Sequence, residues 1–100
     1  MSLDIHNIDG NTFILKARQK EGVFYAWVQV LADEDIAHKY IVCLSVSNKG
    51  TTVVEKGKVF PIDLTGKNVM REREGILCFG GVIVNKLFQL SDSVSRRPEK

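Results

Sequence analysis

Apolar positions recur at every second residue over much of the chain. Between Thr12 and Lys20, Phe13, Leu15 and Ala17 alternate with Lys16 and Arg18, which predicts a strand with one apolar and one basic face. Glu21-Gly22 reads as the tight turn that follows it. From Val23 to Leu31 nearly every residue is apolar, and Val23, Phe24, Tyr25, Trp27, Val28 and Val30 are β-branched or aromatic. Such a run predicts a central strand covered on both faces. Asp33-Glu34-Asp35 is a loop or a single helical turn. Tyr40, Val42, Leu44 and Val46 then alternate with Cys43, Ser45 and Ser47 as a half-buried strand. Asn48-Lys49-Gly50 reverses the chain into the β-branched run Thr51 to Val54, a hairpin. Gly57 marks a bulge before Val59 and Phe60, and Pro61 ends that strand.

Asp63 to Gly75 mixes Gly66 and Asn68 with the alternating charges Arg71, Glu72, Arg73 and Glu74, a polar excursion that is helical in part. Ile76 to Phe79 returns as a short buried strand, broken by Gly80-Gly81. Ile83 with Leu87 and Val84 with Phe88 then stand at the i, i+4 spacing of a two-turn amphipathic helix. Mostly antiparallel strands with one short helix predict an all-β domain, a small β-sandwich or barrel. Its expected bounds are a lead-in over 1–11, a single domain over 12–90 and a polar basic tail over 91–100.

Composition narrows the class without naming a function. In 100 residues, 44% hydrophobic and 26% charged side chains suit one soluble globular core and exclude disorder, collagen and coiled coil. Cys43 and Cys78 are too few for a disulfide framework. Both stand in apolar runs where a reduced thiol acts as a small hydrophobe, so both are expected in the core of a protein kept in a reducing compartment, the cytoplasm. No secretory signal opens the chain, and no run reaches the roughly 18 apolar residues of a membrane span. Fourteen basic against twelve acidic residues give a net charge of +2, too little to imply a partner by itself.

The search for reactive groups finds no enzyme signature. Gly50 to Lys58 has the wrong glycine spacing for a phosphate-binding loop, and Val59 stands where a metal-binding hydroxyl would be needed. His6 and His38 lack partners at metal-ligand spacing, no G-x-S-x-G elbow is present, and no cofactor is expected. Two surface features remain. Lys16, Arg18 and Lys20 on one strand face stand about 6.6 Å apart, close to the phosphate spacing of a single nucleic-acid strand, although lysines commonly protect sheet edges. Phe24, Tyr25 and Trp27 bring three aromatics together, for which core packing is the commoner use.

Three segments carry a family resemblance: Phe13-Ile14-Leu15 closing at Glu21; Phe24-Tyr25-Ala26-Trp27-Val28-Gln29-Val30-Leu31; and Cys78 followed by Val82-Ile83-Val84-Asn85-Lys86-Leu87-Phe88. In order and spacing they resemble the substrate-binding domain of the seven in absentia (Sina/Siah) ubiquitin ligases, a TRAF-like β-sandwich. The resemblance spans about Phe13 to Phe88. It implies a non-catalytic domain that recognises extended peptide segments and pairs with itself, the ligase activity of the family residing in a RING domain. The zinc-finger and RING ligands of that family cannot come from two cysteines and two histidines.

On this resemblance, the peptide groove lies beside the first strand and pairs with it through the main chain, which maps onto Thr12, Phe13, Ile14, Leu15 and Lys16 as an edge strand. The family's T-W-E segment corresponds to Val53-Val54-Glu55, so an aromatic wall of the groove becomes Val54. Self-association, expected as a homodimer, is assigned to Ile83, Val84, Leu87 and Phe88, more apolar side chains than a two-turn helix on a small domain readily buries. The expected partners are substrate or adaptor peptides and a second copy of the chain, with no membrane. The alternative is a small β-barrel binding single-stranded nucleic acid through its basic strand face.

Overall fold

The computed structural model describes residues 2–48, 51–69, 71, 76–80 and 94–98. Its strands are β1 (Ser2–Ile8), β2 (Asn11–Lys20), β3 (Val23–Val30), β4 (Tyr40–Asn48), β5 (Thr51–Lys58), β6 (Phe60–Pro61), β7 (Leu77–Gly80) and β8 (Val94–Arg96). Two one-turn helices, α1 (Glu34–Ala37) and α2 (Gly66–Val69), complete an all-β architecture. One sheet has the order β1-β2-β3-β6, with β7 also paired to β3; the other has the order β5-β4-β8. All pairings are antiparallel except β3 with β6.

Two hairpins of one geometry build the first sheet. Asp9-Gly10 (φ 55 and 81°) and Glu21-Gly22 (φ 53 and 78°) each place two left-handed residues between paired strand ends, Ile8 opposite Asn11 and Lys20 opposite Val23. Positive φ at both central residues is the type I′ signature, whose twist matches that of the flanking strands. The turn at Glu21-Gly22 is the one the sequence pattern predicts. Asp9-Gly10 is an equally strong signal, and it turns the expected lead-in into β1.

Parity then decides the layers. Phe13, Leu15 and Ala17 face the same way as their cross-strand partners Val30, Val28 and Ala26, and all six are at most 1% exposed. They share one apolar cluster with Tyr40, Val42 and Leu44 of β4, Val59, Val94 of β8 and Ala37 of α1. The opposite face of β3 carries Tyr25, Trp27 and Gln29. There a second cluster forms from Trp27, Phe60, Val69 and Ile76, with Tyr25 and Leu64 packed against it. β3 is therefore covered on both faces, as its unbroken apolar run predicts.

Several expectations are corrected. Thr12 to Lys16 do not form an edge, because β1 pairs with Asn11 through Lys16 on one side while β3 pairs with Phe13 through Lys20 on the other. Gly57 makes no bulge: it lies opposite Val42 in an unbroken β4–β5 register. The break comes at Val59, where the chain leaves the second sheet and enters the first as β6. Cys43 is exposed, since it has the parity of Ser45 and Lys56 and not that of Val42 and Leu44. The tail contains β8, with Val94 7% exposed beside β4. The helix expected over Ile83 to Phe88, with its self-association residues Ile83, Val84, Leu87 and Phe88, lies outside the described residues.

Candidate functional site

The outward face of β2 repeats a cation at every second residue, and the β2–β3 register sets Lys16 opposite Trp27 and Arg18 opposite Tyr25. Lys16 is half-buried there, whereas Arg18 and Lys20 are exposed. On the other side of the same face, the β6–α2 segment is fixed by a buried amide. Gln29, with no exposed surface, accepts from Trp27 Nε1 at 3.0 Å and donates through Nε2 to the carbonyls of Pro61 (2.9 Å) and Leu64 (2.8 Å). Thr65 then starts α2, its Oγ1 accepting from the Asn68 N–H at 3.2 Å and its carbonyl from the Val69 N–H at 2.9 Å. Val69 points into the second cluster with no exposed surface, which leaves Lys67 and then Arg71 on the solvent side.

Strand and helix together enclose a concavity of about 490 Å³ lined by Arg18, Lys20, Glu21, Tyr25, Lys67 and Arg71. Among the described lining residues four cations face one carboxylate, and none of the four is held in an ion pair with a described residue. Tyr25 is half-buried against the second cluster, so its ring is a firm wall. A partly enclosed volume ringed by uncompensated positive charge attracts anions, because the low-dielectric wall focuses the field into the opening. Glu21 sits at the rim in a left-handed conformation, φ 53°, that glutamate seldom adopts.

A second basic concavity of about 280 Å³, lined by His38, Lys39, Arg96, Arg97 and Pro98, lies where β8 meets the end of α1. Its arginines already have structural partners. Arg96 Nε donates to Asp9 Oδ2 at 2.9 Å, and Arg97 Nε donates to the His38 carbonyl at 3.0 Å. Tyr40 Oη also donates to Asp9 Oδ2, at 3.3 Å, and accepts from Asn11 Nδ2 at the same distance. Chiefly through the Arg96 hydrogen bond, the Asp9 carboxyl is held below its ordinary value.

The residues predicted for peptide binding are not brought into one groove. Phe13 and Leu15 are fully buried in the shared core, Thr12, Ile14 and Lys16 lie on an interior strand, and Val54 belongs to β5 of the other sheet. Val54 is 57% exposed and stands opposite Ser45, on the outward face. Lys67 and Arg71 were missed by sequence reasoning. The Gln29 anchor, the cap at Thr65 and the burial of Val69 bring them to β2, and none of these has a sequence signature pointing there. Among the described residues, no group of three metal-binding side chains occurs, and no helix is long and apolar enough to cross a membrane. No protein-family model, no curated protein and no solved structure matches the chain.

Proposed function

We propose that this chain is a non-catalytic protein-interaction domain that binds an extended acidic peptide segment of its partner in the concavity between the β2–β3 turn and α2. The observation that carries this reading is the convergence of Arg18, Lys20, Lys67 and Arg71 on one opening without carboxylate partners among the described residues. An extended acidic segment suits the lining, since strand residues (Arg18, Lys20) and helix-side residues (Lys67, Arg71) offer cations from both sides to successive carboxylates. The resemblance to Sina-type substrate domains motivates two further parts of the proposal. The captured partner is a substrate or adaptor in a ubiquitination assembly, and the domain pairs with a second copy of itself.

Single-stranded nucleic acid is the competing ligand, favoured by the shared face of Lys16, Arg18 and Lys20. Burial argues against it. Phe24 is 8% exposed and Trp27 3%, so neither ring is open to a base, and Tyr25 offers only a half-buried edge of the wall.

The test is fluorescence anisotropy of labelled octaglutamate and of labelled decathymidylate against the wild-type chain. Octaglutamate should bind and weaken as salt rises, with decathymidylate much weaker. Tighter binding of decathymidylate transfers the site to nucleic acid, and binding of neither overturns the proposal.

A further inference from the structure

We infer that the concavity reads a phosphorylated side chain, phosphoserine or phosphothreonine, within the acidic segment; the inference rests on the peptide reading above. Three observations carry it. The first is charge: among the described lining residues, four cations and one carboxylate leave an excess of three positive charges around about 490 Å³. A single glutamate of the ligand supplies one negative charge and two oxygens. A phosphate monoester supplies about −1.5 to −2 and three acceptor oxygens, enough to engage cations from both the strand and the helix side at once.

The second observation is the kind of cation. Arg18 on β2 and Arg71 beyond α2 present planar guanidinium groups that grip phosphate oxygens in pairs, and Lys20 and Lys67 add compact charges that adjust to the remaining oxygen. The third is rigidity of the support. Tyr25 is seated on the Trp27–Phe60–Val69 cluster, and the segment leading into α2 is tied to Gln29 through the Pro61 and Leu64 carbonyls, so the backbone beneath the cations is supported before a ligand arrives.

A phosphopeptide fits this site better than a phosphorylated lipid headgroup. The large exposed hydrophobics among the described residues, Ile5, Leu31 and Val54, are not lining residues, so the described part of the opening offers no apolar side chain to enter a bilayer. The consequence is a switch: phosphorylation of the partner turns a weak acidic ligand into a strong one, and partner capture becomes conditional on a kinase.

The experiment compares three short extended peptides, identical in an acidic frame, whose central residue is serine, glutamate or phosphoserine. Affinities are measured by anisotropy for the wild type and for Arg18→Gln, Arg71→Gln and Lys39→Gln. The last lies in the other basic concavity and serves as a control. Phosphoserine should bind about tenfold more tightly than glutamate, Arg71→Gln and Arg18→Gln should each remove most of that advantage, and Lys39→Gln should leave it intact. Lys67→Gln, at another exposed position, provides a second helix-side variant if Arg71→Gln lowers stability.

Equal affinity for the glutamate and phosphoserine peptides overturns the phosphate inference and leaves acidic-peptide recognition standing. Binding of none of the three overturns both. Inorganic phosphate or phosphoinositide-containing vesicles binding at Arg18 and Arg71, with the phosphopeptide silent, would also overturn it by assigning the anion to another source.

Discussion

The two ends of the first sheet are built alike and charged alike, yet their charges are put to different use. Each end has a type I′ turn, at Asp9-Gly10 and at Glu21-Gly22, and each opens beside a basic concavity. At the first, Asp9 accepts from Arg96 and Tyr40, Arg97 donates to the His38 carbonyl, and the Arg97 N–H reaches the Lys39 carbonyl at 2.7 Å. These bonds tie the β1–β2 turn, β4 and β8 together. At the second, the turn acid Glu21 takes no cation, and Arg18, Lys20, Lys67 and Arg71 remain without carboxylate partners among the described residues. A cluster of basic residues is thus read by its partners and not by its count: one end closes the fold, and the other is the one proposed to take a ligand.

The largest effect that sharpens this contrast is expected at Gln29. Gln29→Leu leaves the Trp27 N–H and the Pro61 and Leu64 carbonyls without their buried partner and should cost about 3 kcal/mol in denaturant unfolding. It should also weaken octaglutamate binding, because the segment that carries Lys67 loses its anchor. At the other end, Tyr40→Phe removes two longer, part-buried hydrogen bonds and should cost about 1 kcal/mol without touching ligand affinity.

Next in size are the turn glycines. Gly10 and Gly22 have φ of +81° and +78°, and a Cβ at either would meet nothing within 4 Å, so an alanine there suffers from backbone conformation alone. Gly10→Ala and Gly22→Ala should each lower stability by about 1–2 kcal/mol, and by similar amounts, as measured by chemical unfolding. A marked inequality would show that the two turns are not equivalent supports.

Glu21→Asn should have the opposite sign. Asparagine accepts the left-handed conformation more readily, so stability should rise by about 0.5 kcal/mol. Loss of the rim carboxylate should tighten octaglutamate binding in the same variant. A gain in stability with weaker binding would mean that Glu21 contacts the ligand favourably.

The smallest effect is the acid response of Asp9. Its carboxyl is lowered in the folded state, chiefly by the hydrogen bond from Arg96, so the folded protein binds a proton there less readily than the unfolded chain. The resulting stabilisation is present above the ordinary carboxylate range and is lost as pH falls through the lowered folded-state value. Asp9→Asn should remove this acid component, a difference seen in thermal unfolding on the acid side and reduced by salt, since the pair is exposed.

Legibility in the sequence followed the range of the interactions. Strict alternation in β2 and β4 and the continuous apolar run of β3 are local consequences of side-chain parity, and they told which faces are buried. Cys43 shows the danger of weighing neighbours without parity. It stands between Val42 and Leu44, yet the same alternation that buries those two exposes it. Asp9-Gly10 is an equally local signal for a tight turn, and it entails β1 and the interior position of Thr12 to Lys16. The strand β8 is three residues long, Val94–Arg96, and only its pairing with β4 separates it from a polar tail. The concavity was half legible. Arg18 and Lys20 follow from the period of β2, but Lys67 and Arg71 arrive through hydrogen bonds from Gln29 to carbonyls 32 and 35 residues away, which no periodicity encodes.

The most direct test of the account is a titration of isotope-labelled protein with octaglutamate, following backbone amide shifts at low and moderate salt. Shifts should concentrate at Arg18, Lys20, Tyr25, Lys67 and Arg71 and fade as salt rises, with His38, Lys39 and Arg97 unmoved. Shifts centred on His38, Lys39 and Arg97, or spread evenly over the basic residues of both ends, would contradict it.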